Sequence, residues 1–123
     1  VKKTLTYVNA GHNPPLIFRP GSSRPVELKG TGIILGVLPD ADYREETFAL
    51  ESRDLIILYT DGITEAINSG KEQFGEQRLI ETIMDSRDLS PDELVDRIRQ
   101  AVADFSGDEP QFDDQTLMVL RVA

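Results

Sequence analysis

Apolar and polar positions along the chain change their period once, just after Asp61-Gly62. Before that point, short β-rich runs alternate with turn formers: residues 4–10, residues 15–19, Val26 to Leu28, Glu46 to Leu50 and Leu55 to Tyr59. Runs of this length, bounded by Gly, Pro, Asn and Ser, read as strands. Gly11-His12-Asn13-Pro14 between the first two predicts a hairpin or a tight bend, and Pro20-Gly21-Ser22-Ser23 predicts a second turn. Gly30-Thr31-Gly32 and Gly36 break the backbone around the apolar Ile33-Ile34-Leu35. The polar Glu51-Ser52-Arg53-Asp54 joins the last two strands of this half. Strands that follow one another without helices between them predict antiparallel sheet.

After Gly62 a helix-like stretch begins at once. Leu79, Ile80, Ile83 and Met84 recur at helical spacing, which predicts a helix over 76–86 with one buried face. Ser90-Pro91-Asp92-Glu93 predicts the next helix start: Ser90 caps, Pro91 suits the first turn and Glu93 completes a capping box. Leu94, Val95, Ile98, Ala101, Val102 and Phe105 form its apolar stripe, and Ser106-Gly107 ends it. Asp108 to Phe112 is a loop, and Thr116 to Val122 a closing strand. With no repeat, low-complexity segment or linker, the chain reads as one α+β unit: strands, two helices, one last strand.

Composition narrows the functional classes. A length of 123 residues suits one domain with a real core, and 39% hydrophobic with 28% charged residues is ordinary for a globular protein. No stretch approaches the ~20 apolar residues of a membrane span. Lys2, Lys3 and Thr4 interrupt any signal-peptide core, and a chain opening at Val1 within a strand-like run reads as a piece of something longer. The absence of cysteine excludes disulfides, thiolate catalysis and zinc–thiolate sites, and fits a reducing cytoplasm. A formal charge of −9 argues against nucleic-acid binding and is compatible with a divalent-cation site.

Three stretches could carry chemistry. Asp61-Gly62 closes an apolar strand, which makes it either a surface turn or a carboxylate held at a sheet rim to bind a cation. Asp113-Asp114-Gln115-Thr116 opens another strand. Its two adjacent carboxylates either punctuate a loop or await a cation, because like charges repel unless something compensates them. Asn9-Ala10-Gly11-His12-Asn13-Pro14-Pro15 holds the only histidine; its surroundings favour a turn, with acid–base chemistry or ligation the other option. Two carboxylate sites at strand ends suit Mg²⁺ or Mn²⁺, hard cations that take oxygen ligands and keep waters. A strand running into Asp-Gly is also similar to the haloacid dehalogenase phosphatases, but those need an Asp where this chain has Tyr59.

Taken in order, the motifs resemble the C-terminal half of a SpoIIE-type serine/threonine phosphatase, the bacterial branch of the metal-dependent PPM phosphatases. The match is carried by Asn9 to Pro15, by Gly32 through Leu35-Gly36, and by Leu58-Tyr59-Thr60-Asp61-Gly62-Ile63-Thr64-Glu65-Ala66. Phe74-Gly75 and Asp113-Asp114-Gln115-Thr116 complete it. The resemblance implies an antiparallel β-sandwich flanked by helices, with residues 1–123 as the C-terminal portion of the domain. It further implies hydrolysis of phosphoserine or phosphothreonine in a regulatory protein, such as an anti-sigma-factor antagonist, by a water activated between two Mn²⁺ or Mg²⁺ ions. Asp61 and Asp113 take the places of catalytic metal ligands, and Asp114 that of a polar group beside metal-bound water or phosphate.

One departure stands out. The family's first half carries a metal-bridging Asp in an Asp-x-Ser-Gly-His-Gly-like segment, and these residues contain no such segment. The resemblance therefore implies an incomplete domain, inactive by itself. The alternative is a non-catalytic module that keeps the fold and binds a phosphoprotein. Sheet faces and edges left open by an incomplete sandwich would favour dimerisation or strand exchange.

Overall fold

The computed structural model describes residues 2–30 and 32–123, so the expectations for Val1 and for Thr31 lie outside the described residues. The chain divides into two compact units, residues up to 56 with 121–123, and residues 57–120.

In the first unit, β1 (Lys3–Tyr7) pairs antiparallel with β4 (Glu46–Leu50), Lys3 opposite Leu50 and Tyr7 opposite Glu46. β2 (Leu16–Phe18) pairs antiparallel with β3 (Val26–Glu27). The hairpin expected between β1 and β2 does not form, since β1 joins a strand about forty residues away and the two lie in different sheets. Residues 9–15 make the bend instead. The buried Asn9 accepts from the His12 N–H through Oδ1 at 2.9 Å, and the His12 ring stays exposed with Nδ1 2.9 Å from the Asn13 carbonyl. Gly30 and Gly32 lie flush against the Asn9 backbone, where any Cβ would collide. The Asn9 motif is architecture: its side chain bonds within its own bend and to the Leu28 carbonyl, and Gly30 and Gly32 allow the close approach to its backbone.

β2 and β3 are each shorter than expected, whereas β4 has the expected span; beyond β3, Leu28 donates to the Pro15 carbonyl at 2.9 Å. The polar run joining β4 to β5 (Leu55–Tyr59) is likewise not mere surface. Asp54 is completely buried and accepts from the Glu51 N–H at 2.8 Å, with Arg19 Nε 4.0 Å away. Arg19 also pairs with Glu51, donates to the Ala49 carbonyl at 2.7 Å and lies over the Phe48 ring at 5.1 Å. The Arg53 N–H donates to the Val122 carbonyl and the Val122 N–H to the Asp54 carbonyl, each at 2.9 Å, which ties the start of β5 to the chain end.

The second unit carries the rest of β5, three helices and β6 (Leu117–Arg121), whose last residue falls in the first unit. The helix expected straight after Gly62 is a single turn, α1 (Asp61–Thr64). α2 (Gly75–Ser86) and α3 (Pro91–Ser106) match their expected spans to within a residue. At the start of α3 the capping box is complete: Ser90 Oγ accepts from the Glu93 N–H at 3.2 Å and Glu93 Oε2 from the Ser90 N–H at 2.9 Å. Donors of Ser90, the backbone N–H first and the side-chain hydroxyl second, hold the Glu93 carboxyl below its usual range. Leu79 and Ile83 of α2 and Leu94, Ile98 and Val102 of α3 are buried with Ile57, Tyr59 and Ile63. Phe74 and Phe105 meet edge to face at 5.5 Å, and Arg78 covers the Phe105 ring at 4.6 Å. Among the described residues no helix is long and apolar enough to cross a membrane.

Candidate metal centre

Leu55 to Tyr59 is buried at almost every position, so β5 is a central strand, and its β-branched run ends where Thr60 departs into α1. Thr60 is the device that joins the two acidic segments. Its N–H donates to the Thr116 carbonyl at 3.1 Å. Its Oγ1 accepts from the Thr116 N–H at 2.9 Å and donates to the Asp114 carbonyl at 3.2 Å. One side chain thus fixes the residue before Asp61 against the residue after Asp113.

Gly62 brings the segments closer still. A Cβ built there would run into the Asp114 carbonyl oxygen, and would stand 2.7 Å from the Asp114 carbonyl carbon and 3.2 Å from the Asp113 carbonyl oxygen. The Asp-Gly pair is therefore not a turn chosen for positive φ. The glycine is needed because another backbone passes where a side chain would be. Sequence reasoning named the Asp-Gly but missed Thr60, whose signal is a β-branched hydroxyl residue between a buried strand and an acidic pair.

The carboxylates themselves face solvent. Asp61, Asp113 and Asp114 are exposed, and Asp113 Oδ1 accepts from the Asp114 N–H at 2.8 Å. An all-oxygen donor set on two abutting segments fits a hard divalent cation in chemistry. In number it falls short: among the described residues no group of three His, Asp or Glu side chains stands at metal-holding spacing, and Asp61, Asp113 and Asp114 do not form one. His12 belongs to no such group either.

The family model described as "Stage II sporulation protein E (SpoIIE)" matches residues 1–123. The chain belongs to the SpoIIE family. It is 35% identical over 122 residues to the phosphoserine phosphatase RsbU of Bacillus subtilis, covering 98% of this chain and 35% of RsbU. It is 34% identical over 116 residues to protein IcfG of a Synechocystis strain, covering 94% of this chain and 18% of IcfG. Among solved structures, the SiaA-PP2C domain of Pseudomonas aeruginosa superposes with a TM-score of 0.83 at 24% identity, covering 98% of this chain and 47% of that one. The expected fold class stands: this SpoIIE-family chain has antiparallel sheets and helices as in PP2C-like domains, and spans less than half of each of these proteins.

Proposed function

We propose that residues 1–123 are the C-terminal portion of a metal-dependent protein serine/threonine phosphatase domain, acting in the cytoplasm on a phosphorylated regulatory protein such as an anti-sigma-factor antagonist. The carrying observation is the Thr60 clamp with the Gly62 close approach, which sets Asp61 and Asp113 on abutting segments. PP2C-family phosphatases are metal-dependent. In this reading Asp61 and Asp113 hold Mn²⁺ or Mg²⁺, two ions in the complete domain, with Asp114 beside them. The ions supply an activated water and charge stabilisation for phosphoester hydrolysis.

The chain's own residues position this chemistry. Thr60 keeps the two donor segments from sliding, and Gly62 leaves no side chain to wedge them apart. Exposed carboxylates also repel one another, so a bound cation is favoured electrostatically. The shortage of a third donor supports two further points. The portion by itself has no appreciable activity, and its remaining ligands come from outside these residues. The same shortage keeps a second reading open, a non-catalytic interaction module that binds a phosphoprotein, with dimerisation or strand exchange covering its open faces.

The test compares this chain with a longer protein containing it, using a phosphoserine peptide at saturating Mn²⁺. The longer protein turns over, and loses activity with Asp61→Asn or Asp113→Asn while remaining folded. The chain alone does not turn over, and His12→Ala in the longer protein has a far smaller effect. Robust turnover by the chain alone, or full turnover by the longer protein carrying Asp61→Asn, would overturn this function.

A further inference from the structure

The loop after α3 stands off the helix on its way to β6, leaving a cavity of about 540 Å³ and a second of about 330 Å³. Arg99, Val102, Gln111 and Gln115 line both, so the two adjoin as one elongated cleft. The larger part reaches Gly62 and Asp113, the residues placed at the proposed metal centre. Asp96, Arg99, Gln100 and Ala103 line it from α3 at a helical spacing that puts them on one face.

The lining suits a polypeptide. Apolar wall comes from Val102, Ala103 and Phe112, and Phe112, one residue before Asp113, is 65% exposed. The amides of Gln111 and Gln115 offer donors and acceptors that can match a peptide backbone. The charge is mainly acidic: Glu65, Asp96, Glu109 and Asp113 stand against Arg99. Glu109 already meets Lys71 at 3.2 Å, which leaves Glu65 and Asp96 as the exposed carboxylates beside the proposed metal ligand.

We infer that this cleft docks the stretch of polypeptide flanking the phosphorylated residue, and that it selects a stretch with a basic side chain next to an apolar one. Exposed aromatic surface and complementary charge are the usual ingredients of such recognition. That the docked polypeptide is a substrate rests on the phosphatase reading; the docking does not.

The probe is a pair of short, dye-labelled, unphosphorylated peptides that differ only in carrying arginine or glutamate beside leucine. Binding is read by fluorescence anisotropy without metal, so it does not depend on turnover. The arginine peptide binds more tightly. Asp96→Lys, which reverses a charge on the exposed face of α3, weakens it by about fivefold, the size expected for an exposed ion pair. Ala103→Trp, at an exposed position, fills the cleft and weakens both peptides, with circular dichroism confirming that each variant is folded. Equal affinity for the two peptides, no binding of either, or binding indifferent to both variants would overturn the inference. Docking with these properties in a protein whose longer form shows no phosphatase activity would support the cleft and sink the enzyme.

Discussion

Asp54 and Asp113 both precede a strand, yet the fold treats them oppositely. Asp54 is buried completely, receives the Glu51 N–H at 2.8 Å and has the Arg19 guanidinium at 4.0 Å. Asp113 is exposed, and among the described residues its carboxylate accepts only from the N–H of its own neighbour in sequence. A buried carboxylate must be compensated by the protein itself, since desolvation costs several kcal/mol. An exposed one needs no such compensation and faces whatever lies outside the protein. The contrast separates structural acid from candidate ligand better than either residue's place in the sequence.

Removing the structural acid should have the largest effect. Asp54→Ala leaves Arg19 without its buried partner and the Glu51 N–H without an acceptor, and is expected to cost about 3 kcal/mol. That is the lower end for such a pair, because Arg19 is 30% exposed and keeps Glu51. Denaturant unfolding measures it, against a change within about 0.5 kcal/mol for Asp113→Ala, the usual size at an exposed position. Equal losses at the two sites would dissolve the comparison.

Gly62→Ala comes next, at about 2 kcal/mol, since its methyl must displace the Asp113–Asp114 backbone rather than a side chain. Amide chemical-shift changes concentrated at residues 113–116 would show that the two segments move apart.

Ser90→Ala is smaller, about 1 kcal/mol for a lost N-cap. It carries a pH signature. Glu93 is held below its usual range by the Ser90 contacts, so its contribution is present above the unfolded carboxylate pKa and is lost as pH falls through the lower folded value. The gap between parent and variant should therefore narrow on acidification below about pH 4.3. A gap that stayed constant to low pH would mean that the Ser90 hydroxyl adds nothing through Glu93.

The features legible in the sequence are those encoded locally. Ser90-Pro91-Asp92-Glu93 contains every atom of its cap, so α3 could be placed within a residue. The apolar stripes of α2 and α3 predicted the buried Leu79, Ile83, Leu94, Ile98 and Val102. Pairing between distant segments was hidden. Nothing near Tyr7 says that its strand joins Glu46 rather than returning on Leu16, and Asp54 looked like loop because its partner Arg19 is far away in sequence. At the candidate centre, Asp61 and Asp113 were visible as residue types, while the hydroxyl clamp of Thr60 across more than fifty residues was not.

The proposed metal centre requires the Asp61 and Asp113 segments to act together on one kind of cation. Titrating Mn²⁺ into the isotope-labelled chain and recording paramagnetic broadening of its amides tests this most directly. The expected result is weak binding in which Asp61-Gly62 and Asp113-Asp114 broaden together, and in which Asp61→Asn lowers the affinity at both. Broadening confined to one segment, or an Asp61→Asn titration that matches the parent, would contradict it.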